Sequence, residues 1–584
     1  MRRRPALFAF VAAALACPAG SASADDAPDV ASFSEGAGAP DEVPGEIAID
    51  LRDDVVASDV TALAAQYGLS LRPSSGWSWG HDKLEVADVD PSREASLVFS
   101  LSLDPRVEHA EPMALYRAAF VPDDPLYEKQ WHLKRVGAED AWSYTCGQGV
   151  TVAVIDTGVA CFDKGPFSRG TDLGGTRCEG GWNFVDDSPE AADDNGHGTH
   201  VAGTVAQTTN NGMGAAGLAF CATLMPIKVL TRQGFGTVAN IAEGVRWAAD
   251  EGAQVINLSL GGPIRSRILK DAVDHALARG VVVVAAAGNG GRAVGYPAAY
   301  PGVIAVSATD DSDRIASFSS RGPEVAIAAP GVRVTQQTVC NAGRDRCEIF
   351  GTFNGTSMAA PHVAGVAAMV ESLGTTSAPA VRDALTGSAR AHGDETLYGA
   401  GILDARAAVR RVFWRHFAGR ALALVGLAWV VARRVRRRGS RLVWSPLAVL
   451  GALATSVGLV PFAPLLGLLG KVGALRTVAE VAMRPLGEWD VLVSVGLHRW
   501  LLLASALPAF ALALLGFGHG KLRPFIGGLA LGTGALLVQM VCLSDVAFVG
   551  GVLLGRVWEV SNALVCVWLA RVALDSRGET HGRS

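Results

Sequence analysis

Three short segments carry side chains that together could do nucleophilic chemistry. Val154-Ile155-Asp156-Thr157-Gly158 sets a carboxylate at the end of an apolar run. Asp194-Asn195-Gly196-His197-Gly198-Thr199-His200 supplies an imidazole flanked by glycines, which permit close approach of backbone and substrate. Asn354-Gly355-Thr356-Ser357-Met358-Ala359-Ala360-Pro361-His362 puts a serine where a loop enters a helix, with Pro361 tolerated in the first turn. A serine hydroxyl becomes a useful nucleophile when an imidazole takes its proton and a carboxylate fixes that imidazole's tautomer. Singly, Asp156 reads as a turn residue, His197 as a core histidine and Ser357 as a helix N-cap. In the order Asp, His, Ser they reproduce one of the known chain orders of a catalytic triad.

Residues so distant in sequence need a rigid frame. From Val150 onward strands alternate with helices. Val150–Ile155, Thr223–Leu230, Gln254–Leu260 and Val281–Ala286 are apolar or β-branched runs without alternation, as strands buried on both faces are. Helical segments such as Val238–Asp250 and Ser266–Arg279 separate them. This order predicts a doubly wound parallel α/β sheet closing near Leu403–Val409, with Asp156 at the strand edge where catalytic groups collect. Upstream, Glu46–Leu51, Ala57–Tyr67, Leu84–Val89, Glu94–Leu103 and Val107–Tyr116 give a β-α-β-α-β order over residues 45–120.

Residues of about 120 to 410 resemble the subtilisin-like serine peptidases (subtilases), including the closing segment Tyr398-Gly399-Ala400-Gly401-Ile402-Leu403-Asp404-Ala405. The resemblance implies a peptidase domain over 121–411, with Ser357 as nucleophile, His197 as general base and then acid, and Asp156 orienting His197. It implies Asn289, in Ala285-Ala286-Ala287-Gly288-Asn289-Gly290, as side-chain donor to the oxyanion, beside the Ser357 backbone N–H. Ser259, Leu260 and Gly261, with Gly262, resemble the edge strand that pairs with an extended polypeptide substrate. Gly295, in Gly295-Tyr296-Pro297, matches the floor of the primary specificity pocket, so the expected cleavage is after large apolar residues. No cofactor is expected in catalysis. A structural Ca²⁺ site is implied at Asp124, Asp172 and Asn211, with backbone carbonyls of Thr208, Met213 and Ala215; hard oxygen donors suit that ion. Ordinary Asx turns are the competing reading of those loops. The 45–120 unit resembles an inhibitor-type pro-domain, with autoprocessing expected around Tyr116–Pro122.

The 584 residues hold 51 Lys+Arg against 56 Asp+Glu, a formal net charge of −5 that excludes a basic nucleic-acid binder. Charged residues are only 18 %, and a mean hydropathy of +0.27 implies that part of the chain does not face water. Residues 1–24 read as an export signal: Arg2, Arg3 and Arg4, the apolar Ala6–Ala16, and an A-x-A site at Ala22-Ser23-Ala24. Leu15-Ala16-Cys17 leaves lipidation at Cys17 as the variant reading, and residues 25–44 read as a linker. Cys146, Cys161, Cys178, Cys221, Cys340 and Cys347 allow up to three disulfides in an oxidising compartment, Cys161–Cys178 and Cys340–Cys347 being close pairs among fifteen possible pairings.

From residue 412 to 575 the composition predicts an α-helical transmembrane bundle of about five spans. Apolar runs lie at Phe413–Ala432, Val443–Leu469, Trp500–Phe517 and Phe525–Leu543, with a fifth within Val546–Leu574. Arg433-Arg434-Val435-Arg436-Arg437-Arg438 abuts the first run and sets its inner end by the positive-inside rule. The expected protein is an exported, membrane-anchored serine endopeptidase acting on polypeptides, its own pro-domain serving as inhibitor. The alternative is a transport- or secretion-associated membrane protein whose peptidase domain processes cargo.

Overall fold

The computed structural model describes residues 42–80, 83–114, 120–163, 167–339, 349–466, 473–489, 503–543 and 551–576. The export signal, Cys17, most of the linker, Tyr116 and the pair Cys340 and Cys347 lie outside them. The chain divides into two compact units, 1–117 and 118–584.

In the first unit, β1 (Glu42–Leu51), α1 (Ala57–Tyr67), β2 (Leu71–Pro73), β3 (Leu84–Asp88), α2 (Glu94–Leu101) and β4 (Val107–Ala114) follow in order. The strands form a sheet in the order β2-β3-β1-β4, with β1 antiparallel to both neighbours. Ile47, Ile49 and Leu51 alternate onto one face and pack with Leu63 of α1 and Leu97 and Leu101 of α2. The period-two pattern of β1 thus builds this core. β2 is a three-residue edge strand ending in Pro73, too short to leave a periodic signal.

The second unit is built on parallel strands: β5 (Thr151–Asp156), β6 (Thr223–Lys228), β7 (Val255–Leu258), β8 (Val282–Ala286), β9 (Ile304–Thr309) and β10 (Val325–Pro330). The eight-stranded sheet runs β10-β9-β8-β7-β5-β6, completed by the short pieces Arg177–Cys178 and Trp182–Asn183 on β6. Every one of the six strands is buried throughout, which explains their unalternating apolar sequences. Helices cover both faces: α3 (His197–Ala206) and α6 (Thr356–Ser372) on one, α4 (Val238–Asp250) and α5 (Arg267–Ala278) on the other. β5 pairs with β6 on one side and β7 on the other, so strand order reverses there. A crevice at the carboxyl ends of such strands is where open α/β sheets bind ligands.

Disulfides join Cys161 to Cys178 and Cys146 to Cys221, the latter across 75 residues. Each removes loop-closure freedom from the unfolded chain, the longer loop more.

The closing helix α7 (Ala405–Arg437) starts in the peptidase core, where Asp404 caps it by accepting from the Ala407 N–H at 2.7 Å. Ala405, Ala408, Val409 and Val412 are fully buried there, and the same helix then runs on for a total of 33 residues. Beyond it lie α8 (Pro446–Ser456), α9 (Gly473–Met483), α10 (Leu507–Gly516), α11 (Leu522–Leu543) and α12 (Gly551–Ala573). Among the described residues, two helices, Leu522–Leu543 and Leu553–Ala573, are long and apolar enough to cross a membrane. The Val443–Leu469 run is not one long helix: it holds the eleven-residue α8 and a 3-10 turn at Ala463–Leu466. α11 and α8 meet at a small-residue seam, since a Cβ on Gly528 or Gly532 would lie 1.9 or 2.2 Å from the Ala448 or Ala452 carbonyl oxygen.

Candidate active site

The buried β5 ends at Asp156, whose Oδ1 accepts from the Thr157 N–H at 2.8 Å and faces His197 Nδ1 at 2.7 Å. Because a carboxylate only accepts, Nδ1 carries the proton and Nε2 is left as the basic nitrogen. His197 opens α3, and the contact requires α3 to lie very close to β5. A Cβ on Gly198 would sit 2.1 Å from the Gly158 carbonyl oxygen, so glycine is needed beside the imidazole.

Asp193 holds this corner together. One carboxylate oxygen accepts from the Asn195 and Gly196 N–H groups and from the Thr157 hydroxyl; the other accepts from the Thr199 N–H and hydroxyl. It therefore ties the turn after β5 to the start of α3 and places negative charge at a helix N-terminus.

Burial works against a charged His197, but the Asp156 charge and hydrogen bond outweigh it, with Asp193 adding to them, and the pKa is raised. Three neighbouring histidines behave oppositely. Burial lowers His200 to about 3 and His362 to about 4, and holds His132 well below its ordinary value. His362 Nδ1 donates to the Met358 carbonyl and its Nε2 accepts from His132 Nδ1, while His200 stacks on Phe353 at 4.3 Å. These three are neutral packing groups, and His197 alone of the four is partly exposed, at 28 % of its side chain.

Ser357 lies in the first turn of α6. Its hydroxyl donates to the Ser259 carbonyl at 3.1 Å, not to the His197 imidazole, while the Ser259 hydroxyl donates to the Ser357 carbonyl at 2.8 Å. These bonds lock the end of β7 to the start of α6. Asn289 Oδ1 accepts from the Thr356 N–H at 2.8 Å and the Thr356 hydroxyl at 2.9 Å. A backbone N–H can only donate, so the atom facing it is the amide oxygen and the NH₂ group points the other way. Thr356 thus sets which face Asn289 offers. Neither Thr356 nor Asp193 stands out in sequence. The only trace is a hydroxyl residue beside the serine and an acidic residue four positions before the histidine.

The segment after β7 and the one after β8 face each other. Gly262 and Tyr296 exchange backbone hydrogen bonds at 2.8 and 2.9 Å, and the Gly295 N–H donates to the Ala287 carbonyl at 3.0 Å. Gly261 and Gly262 therefore run beside Gly295 and Tyr296, with Ser259 and Leu260 just upstream in the chain.

Asp124, Asp172 and Asn211 also come together. Asn211 Nδ2 donates to Asp172 Oδ1 at 2.7 Å, and the Asn210 N–H donates to Asp124 Oδ2 at 2.7 Å. The Ala215 N–H meets Asp172 Oδ2 at 2.9 Å, the Met213 N–H meets Asn211 Oδ1 at 3.0 Å, and the Thr208 hydroxyl accepts from the Gly175 N–H at 3.1 Å. Burial, with the Asp124 charge adding, pushes Asp172 up to about 6, and burial also raises Asp124. Among the described residues there is no group of three or more His, Cys, Asp or Glu that could hold a metal. The oxygens of Asp124, Asp172 and Asn211 accept from N–H groups here, as in Asx turns, and the feature that would suit Ca²⁺ is the buried Asp172 carboxylate, costly to ionise alone.

A doubly wound parallel sheet with an Asp–His pair and a serine at its carboxyl edge has the architecture of an α/β serine peptidase. The Subtilase family model matches residues 147–401. The thermophilic serine proteinase of Bacillus sp. (strain AK1) is 39 % identical over 336 residues, 57 % of this chain and 79 % of that protein. Thermitase of Thermoactinomyces vulgaris is 40 % identical over 294 residues, 50 % of this chain and 100 % of thermitase. Subtilisin Savinase of Lederbergia lenta is 44 % identical over 283 residues, 48 % of this chain and 98 % of the relative. The chain belongs to the subtilase family and is a serine endopeptidase with a subtilisin-like fold.

Proposed function

We propose that this subtilase is an exported, membrane-anchored endopeptidase made as an autoprocessed zymogen. The observation carrying the catalytic assignment is the 2.7 Å His197–Asp156 bond at the sheet edge that also bears Ser357 and Asn289. Ser357 Oγ attacks the peptide carbonyl carbon as its proton passes to His197 Nε2. Asp156 holds the tautomer and stabilises the imidazolium. The tetrahedral oxyanion takes hydrogen bonds from the Asn289 NH₂ and the Ser357 N–H. Collapse expels the amine, protonated by His197, and water then hydrolyses the acyl-enzyme through the same groups. The substrate lies extended along Ser259–Gly261, its P1 side chain over Gly295. Fluorophosphonate labelling of the full chain tests the assignment: the adduct belongs on Ser357, and labelling elsewhere or none would remove the catalytic reading.

Asn289→Leu keeps the side-chain volume and removes the donor. We expect kcat to fall about 10²–10³-fold, the size seen for this donor in subtilisins, with KM little changed. Steady-state kinetics on a chromogenic peptide make the check.

The anchor is supported by the two long apolar helices and by outward apolar side chains that water would not tolerate as a patch. Leu422 and Trp429 on α7, Leu514 and Leu515 on α10, and Leu553 and Leu564 on α12 are all more than half exposed. With the N-terminal part exported, α7 runs inward to its arginine cluster. The α+β unit of residues 42–114 serves as the pro-domain.

Asp124, Asp172 and Asn211, with carbonyls of Thr208, Met213 and Ala215, would hold a structural Ca²⁺. A cation offsets the cost of ionising Asp172. Without it, that raised carboxylate pKa gives stability at low pH that is lost as pH rises toward about 6. Added Ca²⁺ should therefore raise Tm more at pH 7.5 than at pH 4.5, and Asp172→Asn should remove the difference. Thermal melts with Ca²⁺ or with a chelator are the measurement.

A further inference from the structure

The helical region is fastened to the peptidase at the end opposite the catalytic edge, and the fastening has no hinge. α7 passes unbroken from the peptidase core into the apolar region. Arg484 donates to the Ser372 carbonyl at the end of α6, and His416 lies 3.2 Å from the Leu373 carbonyl and 3.3 Å from the Thr375 hydroxyl. Tyr144 packs on Phe413 of α7 with ring centroids 5.3 Å apart. Each side of the contact is braced internally: Arg420 pairs with Glu488 and reaches Gln539 at 3.1 Å within the helical region, and the Thr145 and Ser372 hydroxyls bond at 2.7 Å within the peptidase. Arg420, His416, Arg484, Thr145 and Ser372 are all buried, so these bonds are shielded from water.

Residues 144 and 145 lead into the start of β5, and Ser372 ends α6. Ser357 begins α6 and Asp156 ends β5. The fifteen residues from Ser357 to Ser372 span about 22 Å at 1.5 Å per residue. The junction thus lies along the amino edge of the sheet, with the catalytic groups at the other edge.

α7 is not one of the two helices among the described residues that are apolar enough to span by themselves, but on the anchored reading it carries two landmarks of bilayer depth. Arg433 sits over Trp429 at 5.2 Å and begins the basic cluster. About twenty residues earlier, one hydrocarbon thickness, Phe413 packs on Trp414 and Trp414 on Phe417, at centroid distances of 5.2 and 5.5 Å, and Trp414 and Phe417 meet Phe462 at 6.1 and 5.6 Å. On that reading this aromatic cluster would mark the outer face, and it stands beside the junction to Leu373–Thr375.

We infer that the peptidase stands rigidly on the membrane with its catalytic edge turned outward, so that its substrates are soluble exported polypeptides or membrane-distal segments, not membrane-proximal stalks. The inference rests on the membrane-anchored reading above and adds orientation to it.

The test places the full chain in phospholipid vesicles with the peptidase outward. Lipid-tailed peptides carry one quenched cleavage sequence behind polyproline spacers of three or ten residues, about 10 or 30 Å long. A soluble version of the same peptide is the reference. We expect the long-spacer peptide to be cut at a rate near the soluble reference and the short-spacer one at least tenfold more slowly. Equal turnover at both lengths, with soluble cleavage intact and the protein retained after carbonate washing, would overturn the orientation alone. Failure to cut the soluble peptide removes the peptidase reading, and release by carbonate removes the anchor; either one takes this inference down with it.

Discussion

Ser357→Ala should lower kcat about a million-fold, the loss found when subtilisins lose their nucleophile. The fold should hardly notice. The hydroxyl makes one hydrogen bond, to the Ser259 carbonyl at 3.1 Å, and a typical bond of that kind contributes about 1 kcal/mol net. Thermal unfolding within a few degrees of the parent, together with loss of fluorophosphonate labelling, separates chemistry from folding. The same variant reads out maturation. If the peptidase cuts itself free of residues 42–114, the alanine variant stays full length. A processed product from purified Ser357→Ala protein would assign maturation to another enzyme and leave the catalytic role of Ser357 standing. Adding His197→Ala should cost little more, because a base with no hydroxyl to deprotonate has nothing left to do.

How much of this was legible in the chain depends on how local each determinant is. Asp156, His197 and Ser357 each sit inside a long stretch whose glycines and small residues are forced by close packing, as Gly198 shows, so the stretch advertises the residue. The parallel sheet was legible for a related reason: strands buried on both faces cannot hide their composition. Thr356 and Asp193 escaped because their roles consist of what they face. Thr356 turns the Asn289 amide from 67 residues away, and Asp193 gathers donors from both β5 and α3. Cys161–Cys178 is a local clip that spacing suggested; Cys146–Cys221 spans 75 residues and needs the fold to bring its ends together. In the apolar region, hydropathy registers composition but not continuity. It therefore gave one span for Val443–Leu469, where α8 stops at Ser456.

Asp156→Asn should reduce kcat about 10⁴-fold, the order seen when triad aspartates are neutralised. The shape is nearly unchanged, and two things are lost. An amide can accept or donate, so it no longer forces the proton onto His197 Nδ1, and Nε2 can act as a base only when the proton is there. The imidazolium formed during attack also loses its counter-charge. The pH profile tests this independently of the rate. In the parent, His197 must be neutral to take the Ser357 proton, and Asp156 raises its pKa against the opposing pull of burial. Activity should therefore fall as pH drops through a value above 6.5. Without the Asp156 charge, burial becomes the dominant influence, exceeding what Asp193 contributes, and the acid limb should move below 6.5. Stability must follow the same sign. In the parent, protonated His197 adds stability that is present below its unfolded pKa and is lost as pH rises through the folded one. In Asp156→Asn a proton on a buried imidazole is penalised, so stability is lost as pH falls. Relative to the parent, the urea midpoint of Asp156→Asn should thus be lower by more at pH 5.5 than at pH 8.5, a comparison in which groups common to both proteins, such as Asp172, cancel. If the acid limb stayed where it was in the variant, the charge that raises His197 would have to come from a group other than Asp156.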